Sequence, residues 1–117
     1  MHEMSIALEV IEIVKASLPA GAARVRVEKV NLQVGKMSAI VPRSLHFCYE
    51  IAVRNTPLAG SRLEIEEIPV VARCNGCGYE WVLESPAFQC PECDGTDIEM
   101  LSGRELDIVS IEIEEQD

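Results

Sequence analysis

The sequence predicts an α+β fold: two helices packed on a three-stranded, mainly antiparallel sheet, with a zinc-ribbon-like four-cysteine module inserted before the last strand. Three observations predict it. Two stretches repeat apolar residues at helical spacing, three others alternate apolar with charged residues, and two CxxC pairs separated by twelve residues interrupt the alternation. At 117 residues the chain suffices for one domain with a modest core and a small appended module. The expected division is residues 1–72 plus 104–117 for the α+β part and 73–103 for the cysteine module.

The first helix is predicted over residues 3–18. Met4, Ala7, Ile11, Val14 and Leu18 recur at helical spacing, Ile6, Val10 and Ile13 widen that face, and Ser5, Glu9, Glu12 and Ala16 occupy the other. Pro19-Ala20-Gly21 ends it. The second helix starts near Pro42, a residue suited to a first helical turn, and runs to about Arg54. Leu45, Cys48 and Ala52, joined by Phe47, Tyr49 and Ile51, form its apolar side; Arg43, His46, Glu50 and Arg54 form a polar stripe.

Each predicted strand changes parity once. Val25 and Val27 give way to Val30, Leu32 and Val34; Leu63 and Ile65 to Ile68 and Val70; Leu106 and Ile108 to Ile111 and Ile113. A bulge, a strong twist or a change of covered face would each produce this pattern.

Apolar residues make up 48 %, which opposes disorder, and no apolar run approaches the roughly 20 residues of a membrane span. The N-terminus lacks a basic region followed by an apolar block, so a cytoplasmic protein is expected. Charge is uneven. Residues 1–60 carry seven Lys/Arg against five Asp/Glu, whereas residues 61–117 carry three against fifteen. The acidic second half repels phosphate backbones and argues against nucleic-acid binding through the cysteine segment.

The cysteines, Cys74-Asn-Gly-Cys77 and Cys90-Pro-Glu-Cys93, have the layout of a loop-borne tetrathiolate metal site. Each CxxC turn sets two sulfurs on one side of a tight loop, and Gly76, Gly78 and Pro91 suit such turns. In a chain expected to stay in the cytoplasm, paired cysteines read as ligands rather than disulfides. Structural zinc is the leading reading. A rubredoxin-like iron electron carrier is the rival, because Cys-Asn-Gly-Cys-Gly-Tyr and Cys-Pro-Glu-Cys resemble that iron-binding pattern. A zinc-ribbon module for protein or nucleic-acid interaction is a third reading. Thiol redox chemistry fits least, since a redox CxxC occurs once, at a helix start.

The chain start is a second candidate. In Met1-His2-Glu3 a free α-amine, the His2 backbone amide and the His2 imidazole can form fused chelate rings on one cation, with Glu3 adding an oxygen or another backbone nitrogen. Such nitrogen-rich surroundings suit Ni(II) or Cu(II). His2 is bulky enough to keep Met1 in place. Protons compete for the amine and imidazole near neutral pH, so the site would exchange its metal. An exposed, frayed His2 is the plainer alternative.

Other residues read as structural. His46 lies on a polar stripe, Cys48 on an apolar face, Met37 and Met100 have no paired ligand, and Glu66-Glu67 and Glu114-Glu115 read as solvated strand ends. No phosphate-cradling glycine loop, Ser/His/Asp set or carboxylate pair argues for an enzyme.

Taken together, Met1-His2-Glu3-Met4-Ser5 before an apolar-striped helix, the Val34-Gly35-Lys36-Met37-Ser38 turn, Ser44-Leu45-His46-Phe47 and the CxxC-x12-CxxC spacing resemble the HypA/HybF family of hydrogenase nickel-incorporation proteins. The resemblance covers nearly the whole chain. It implies a non-enzymatic nickel metallochaperone with nickel at Met1, His2 and Glu3 and structural zinc at Cys74, Cys77, Cys90 and Cys93. The partners it implies are the GTPase HypB and the precursor of the [NiFe] hydrogenase large subunit, with urease maturation served by some members. A homodimer covering the first helix is a further expectation. Val41 and Pro42 stand where some members have an acidic residue, so no auxiliary carboxylate comes from there. Residues 73–103 contain no histidine, which removes histidine-based exchange at the zinc end.

Overall fold

A computed structural model describes residues 2–18, 25–84 and 88–115. In chain order the elements are α1 (Glu3–Ser17), β1 (Val25–Gly35), a 3₁₀ turn (Lys36–Ser38), α2 (Pro42–Ala52), β2 (Arg62–Ile68), β3 (Val71–Cys74), β4 (Glu80–Val82), β5 (Ile98–Ser102) and β6 (Leu106–Glu115). The strands form two sheets, ordered β2-β1-β6 and β4-β3-β5. Two compact units result: Met1–Gln33, Ile40–Glu66 and Asp107–Asp117 make one, and Val34–Ala39 with Glu67–Leu106 the other. The two helices and the first sheet match the predicted α+β fold. The second sheet, built around the cysteines, is an addition that the strand patterns did not announce.

In the first unit α1 buries Ile6, Ala7, Val10, Ile11 and Val14, the predicted stripe. Ile13 lies at the margin of that stripe and is 47 % exposed. The predicted stop at Pro19-Ala20-Gly21 lies outside the described residues. α2 has Val41 as its N-cap and Pro42 in its first turn, where the missing N–H costs nothing. Its buried line is Leu45, Tyr49 and Val53, spaced by four. Phe47 and Ile51, expected on the apolar side, fall on the opposite face and are exposed, Phe47 by 63 %. Helical spacing explains this: two residues on from Leu45 or Tyr49 is more than half a turn away.

The first sheet explains one parity break. Val27 is buried, as are Val30, Leu32 and Val34. Between them both Glu28 and Lys29 face partners on the polar side: Glu28 lies beside Glu114, and Lys29 lies 3.8 Å from Glu64 and 3.4 Å from Glu112. Two successive residues on one face are the burial signature of a bulge. Asn31 donates to Ser110 and Glu112, and Gln33 donates to Glu66. Along β1 these partners rise in β2 and fall in β6. Hence β6 runs antiparallel to β1, and β2 lies beside it in the same direction, as a helical crossover through α2 requires.

In the second unit β3 pairs antiparallel with both β4 and β5, with an irregularity between Val71 and Ala72 on the β5 side. The expected continuation of one strand from Leu63 to Val70 is broken at Pro69 and Val70, where β2 ends and β3 begins. The parity change at Glu66-Glu67 therefore marks the approach to a different sheet. Gly35 and Gly103 meet backbone to backbone, with Gly35 N–H donating to Glu105 and Met37 N–H to Gly103. A Cβ on Gly35 would collide with the Gly103 carbonyl, so no larger residue fits.

Candidate metal sites

The cysteine site grows out of two loops with the same backbone wiring. In the first, Gly78 N–H donates to the Cys74 carbonyl at 2.7 Å, and Cys74 N–H donates to Tyr79. In the second, Asp94 N–H donates to the Cys90 carbonyl at 2.9 Å, and Cys90 N–H donates to Gly95. Gly78 and Asp94 are the equivalent residues, and both have positive φ, 82° and 59°. Asp94 thus takes the place that the sequence pattern assigns to glycine, as short polar side chains can. Gly95 lets the second loop approach the sulfurs: a Cβ there would lie 3.2 Å from Cys93 Sγ and 3.5 Å from Cys74 Sγ.

The loops bring all four predicted sulfurs within 4.8 Å of one another. Cys74 and Cys93 Sγ are 3.6 Å apart, as are Cys77 and Cys90 Sγ. A tetrahedron with metal–sulfur bonds of about 2.3 Å has edges of about 3.8 Å, so the cluster has the right size for one four-coordinate ion. The chemistry of the donors points the same way. Cys74 is drawn down to about 7, first by the Cys77 N–H and also by that of Gly76. Cys93 receives the Gly95 N–H, yet its neighbours Cys74, Cys77 and Cys90 push it up to about 12. Four sulfurs this close cannot all ionise without a cation, and a divalent ion removes that conflict. Cys74 and Cys90 are buried while Cys77 and Cys93 are exposed, so the site has one sealed and one solvent-facing edge.

At the other end of the sequence, His2 is the N-cap of α1, extended at φ −81° and ψ 141°. Its carbonyl accepts the first intrahelical hydrogen bond, from Ile6 N–H at 3.2 Å. The His2 side chain is exposed and that of Glu3 half-buried; Met1 lies outside the described residues. His2, Glu3 and Met4 line a surface cleft of about 470 Å³ with Arg43, Ser44, Phe47 and Cys48. Cys48, read from sequence as a buried small hydrophobe, is half-buried in that cleft. The signal that could have placed it there is its spacing of four from Ser44, on the side that meets α1. His46 is exposed, as its polar stripe predicts. Glu66 and Glu114 are exposed, as expected of strand ends, and Glu66 also accepts from Gln33.

Among the described residues no helix is long and apolar enough to cross a membrane. A family model described as "Hydrogenase/urease nickel incorporation, metallochaperone, hypA" matches residues 1–113. The hydrogenase maturation factor HypA of Desulfosudis oleivorans is 54 % identical over 115 residues, covering 98 % of this chain and 100 % of the relative. That of Desulfatibacillum aliphaticivorans is 49 % identical over 113 residues, covering 97 % and 87 %. That of Streptomyces avermitilis is 47 % identical over 116 residues, covering 98 % and 88 %. The fold is similar to the solution structure of the Ni metallochaperone HypA from Helicobacter pylori, with TM-score 0.63 and 20 % identity over 96 % of this chain and 97 % of that one. The chain therefore belongs to the HypA family of nickel metallochaperones, which act in hydrogenase and urease maturation.

Proposed function

We propose that the chain is a non-enzymatic carrier that binds Ni(II) through the Met1 α-amine, His2 and Glu3 and delivers it to the precursor of the [NiFe] hydrogenase large subunit, working with the GTPase HypB in the cytoplasm. Residues 1–72 with 104–117 serve as the nickel-binding domain. Residues 73–103 serve as a module held by structural zinc at Cys74, Cys77, Cys90 and Cys93.

One observation carries the nickel assignment: the first intrahelical hydrogen bond of α1 is donated by Ile6. The amide nitrogens of His2 and Glu3 precede it and have no helical acceptor. A cation that displaces their protons therefore breaks no helix bond. The resulting anionic nitrogens also offset the positive end of the helix dipole, which would otherwise oppose a metal there. With the amine and the His2 imidazole, these nitrogens make a nitrogen-rich set that suits Ni(II). Membership of a nickel-incorporation family supports the same reading. The tetrathiolate site, by contrast, fits a permanently held zinc, since four thiolates leave no open position.

Titration calorimetry of tag-free, zinc-loaded protein with Ni(II), beside His2→Ala, tests this. The expected result is one nickel site in the parent and a loss of at least about tenfold in affinity in the variant, the order seen for removed metal-site groups. One extra residue before Met1 converts the amine to an amide and should weaken binding comparably. Equal binding by all three proteins overturns the assignment. A coloured, redox-active protein with iron in the cysteine site would favour the electron-carrier alternative.

A further inference from the structure

We propose that the outer edge of β6 is a strand-addition site for a basic, extended segment of a partner protein. β6 is ten residues long and lies at the end of the order β2-β1-β6, so among the described residues β1 is its one neighbour. Its other side presents a row of backbone N–H and C=O groups about 34 Å long at the usual strand rise. Val109, beside Asn31 and Gln33 on the polar face, and Ile113, on the other face, are 56 % and 46 % exposed. A strand meant only to repel neighbours would not keep such residues at its rim.

Charge selects the occupant. β6 carries Asp107, Glu112, Glu114 and Glu115 and no Lys or Arg. All three described carboxylates of β6 are exposed; Glu112 is engaged by Asn31 and Lys29, whereas Asp107 and Glu114 face no cation among the described ion pairs. A second copy pairing antiparallel about Ile111 would set Glu115 against Asp107 and gather eight carboxylates with no cation among the paired residues. Like charges across a strand pair are destabilising, so self-pairing is disfavoured. A segment alternating basic with apolar residues answers both features. Its backbone completes the ladder, its cations meet Asp107 and Glu114 on the polar face, and its apolar side chains cover Ile113 on the other.

The test is amide hydrogen exchange of the full zinc-loaded chain with an N-acetylated, C-amidated decapeptide alternating lysine and valine, beside a glutamate–valine counterpart. The lysine peptide should slow exchange within β6, with binding that weakens as salt rises. Asp107→Lys with Glu114→Lys should weaken it about tenfold or more, summing several cross-strand charge pairs. Glu114→Lys also removes a carboxylate from beside Glu28, so the variant keeps its fold. Glu9→Lys with Glu50→Lys changes net charge equally on the exposed faces of α1 and α2 and should leave binding unchanged. The proposal is overturned if the control pair weakens binding as much, if the glutamate peptide protects β6 equally, or if protection maps elsewhere. It is also overturned if β6 is protected without peptide in a protein that sediments as a dimer, which would assign the edge to a second copy.

Discussion

The two units bury different things. Among the described residues, thirteen apolar side chains are buried in the first unit, from Ile6 on α1 to Leu63 on β2. The second buries Val34, Val70 and Ala72, and its remaining buried side chains are the proposed ligands Cys74 and Cys90. The first unit can therefore fold on hydrophobic burial, while three small or medium side chains cannot offset the entropy of ordering some forty residues. On the proposed function the second unit draws its stability from a metal in the cysteine site and from backbone pairing. This difference separates the roles of the two proposed metal sites. A metal that holds its unit together cannot be cargo, whereas one added at the N-cap of a helix in a stable unit can come and go.

The largest test is removal of the structural metal. Binding of structural zinc is worth about 10–16 kcal/mol in small zinc-dependent folds. Chelation, or Cys90→Ser at a buried ligand, should therefore unfold the β4-β3-β5 sheet. Amide exchange should show protection lost across Val71–Cys74, Glu80–Val82 and Ile98–Ser102, while α1 and α2 keep their protection and their far-ultraviolet dichroism. Retained protection in the second sheet without metal would break the comparison. So would loss of the helices together with it.

Which parts of this arrangement were legible follows from the same contrast. Helix α1 was readable because a wide apolar stripe was its only route to burial, and Ile6, Ala7, Val10, Ile11 and Val14 are buried as that stripe predicts. In α2 the pattern misled, since Phe47 and Ile51 are apolar yet lie opposite the buried Leu45–Tyr49–Val53 line. Composition cannot tell an outward apolar residue from a core one when a helix carries both. The four sulfurs were fully legible because CxxC spacing fixes two ligands per turn locally. The sheet around them was not, because β4 is three residues long, too short for alternation to show, and its register is set by the flanking loops. Cys48 was misplaced for a related reason: its half-buried position depends on where α1 starts relative to α2.

A medium-sized effect sharpens the contrast from the other side. Leu45 is fully buried at 0 % exposure in the first unit. Leu45→Ala removes its packing there and should cost about 2–5 kcal/mol of that unit's stability. The zinc content and the exchange protection of the second sheet should not change. Thermal unfolding followed at the helices, with metal analysis alongside, checks both halves of this expectation. A parallel loss of zinc would mean that the units fold as one cooperative body.

The smallest effect lies on the polar face of the first sheet, where charge acts without burial. Glu28 has its carboxyl raised above the ordinary 4.5, first by its hydrogen bond to Glu114 and then by that group's charge. A raised carboxyl favours folding only while it is protonated, so its contribution is present below the ordinary carboxylate range and is lost as pH rises through the shifted value. At pH 7 the two carboxylates simply oppose each other. Glu112 shifts the opposite way, lowered first by the Asn31 amide and further by Lys29, so its contribution is present at neutral pH and is lost on acidification. Glu28→Gln should therefore raise the melting temperature of the first unit slightly at pH 7, with the gain shrinking as pH falls through the carboxylate range. Asn31→Ala should lower it at pH 7, with the loss shrinking over the same interval. Neither should move the second unit, whose stability on the proposed function rests on thiolate and metal. If the Glu28→Gln gain persisted undiminished below pH 4, its cause would be packing or strand propensity, and the charge account of this face would fail.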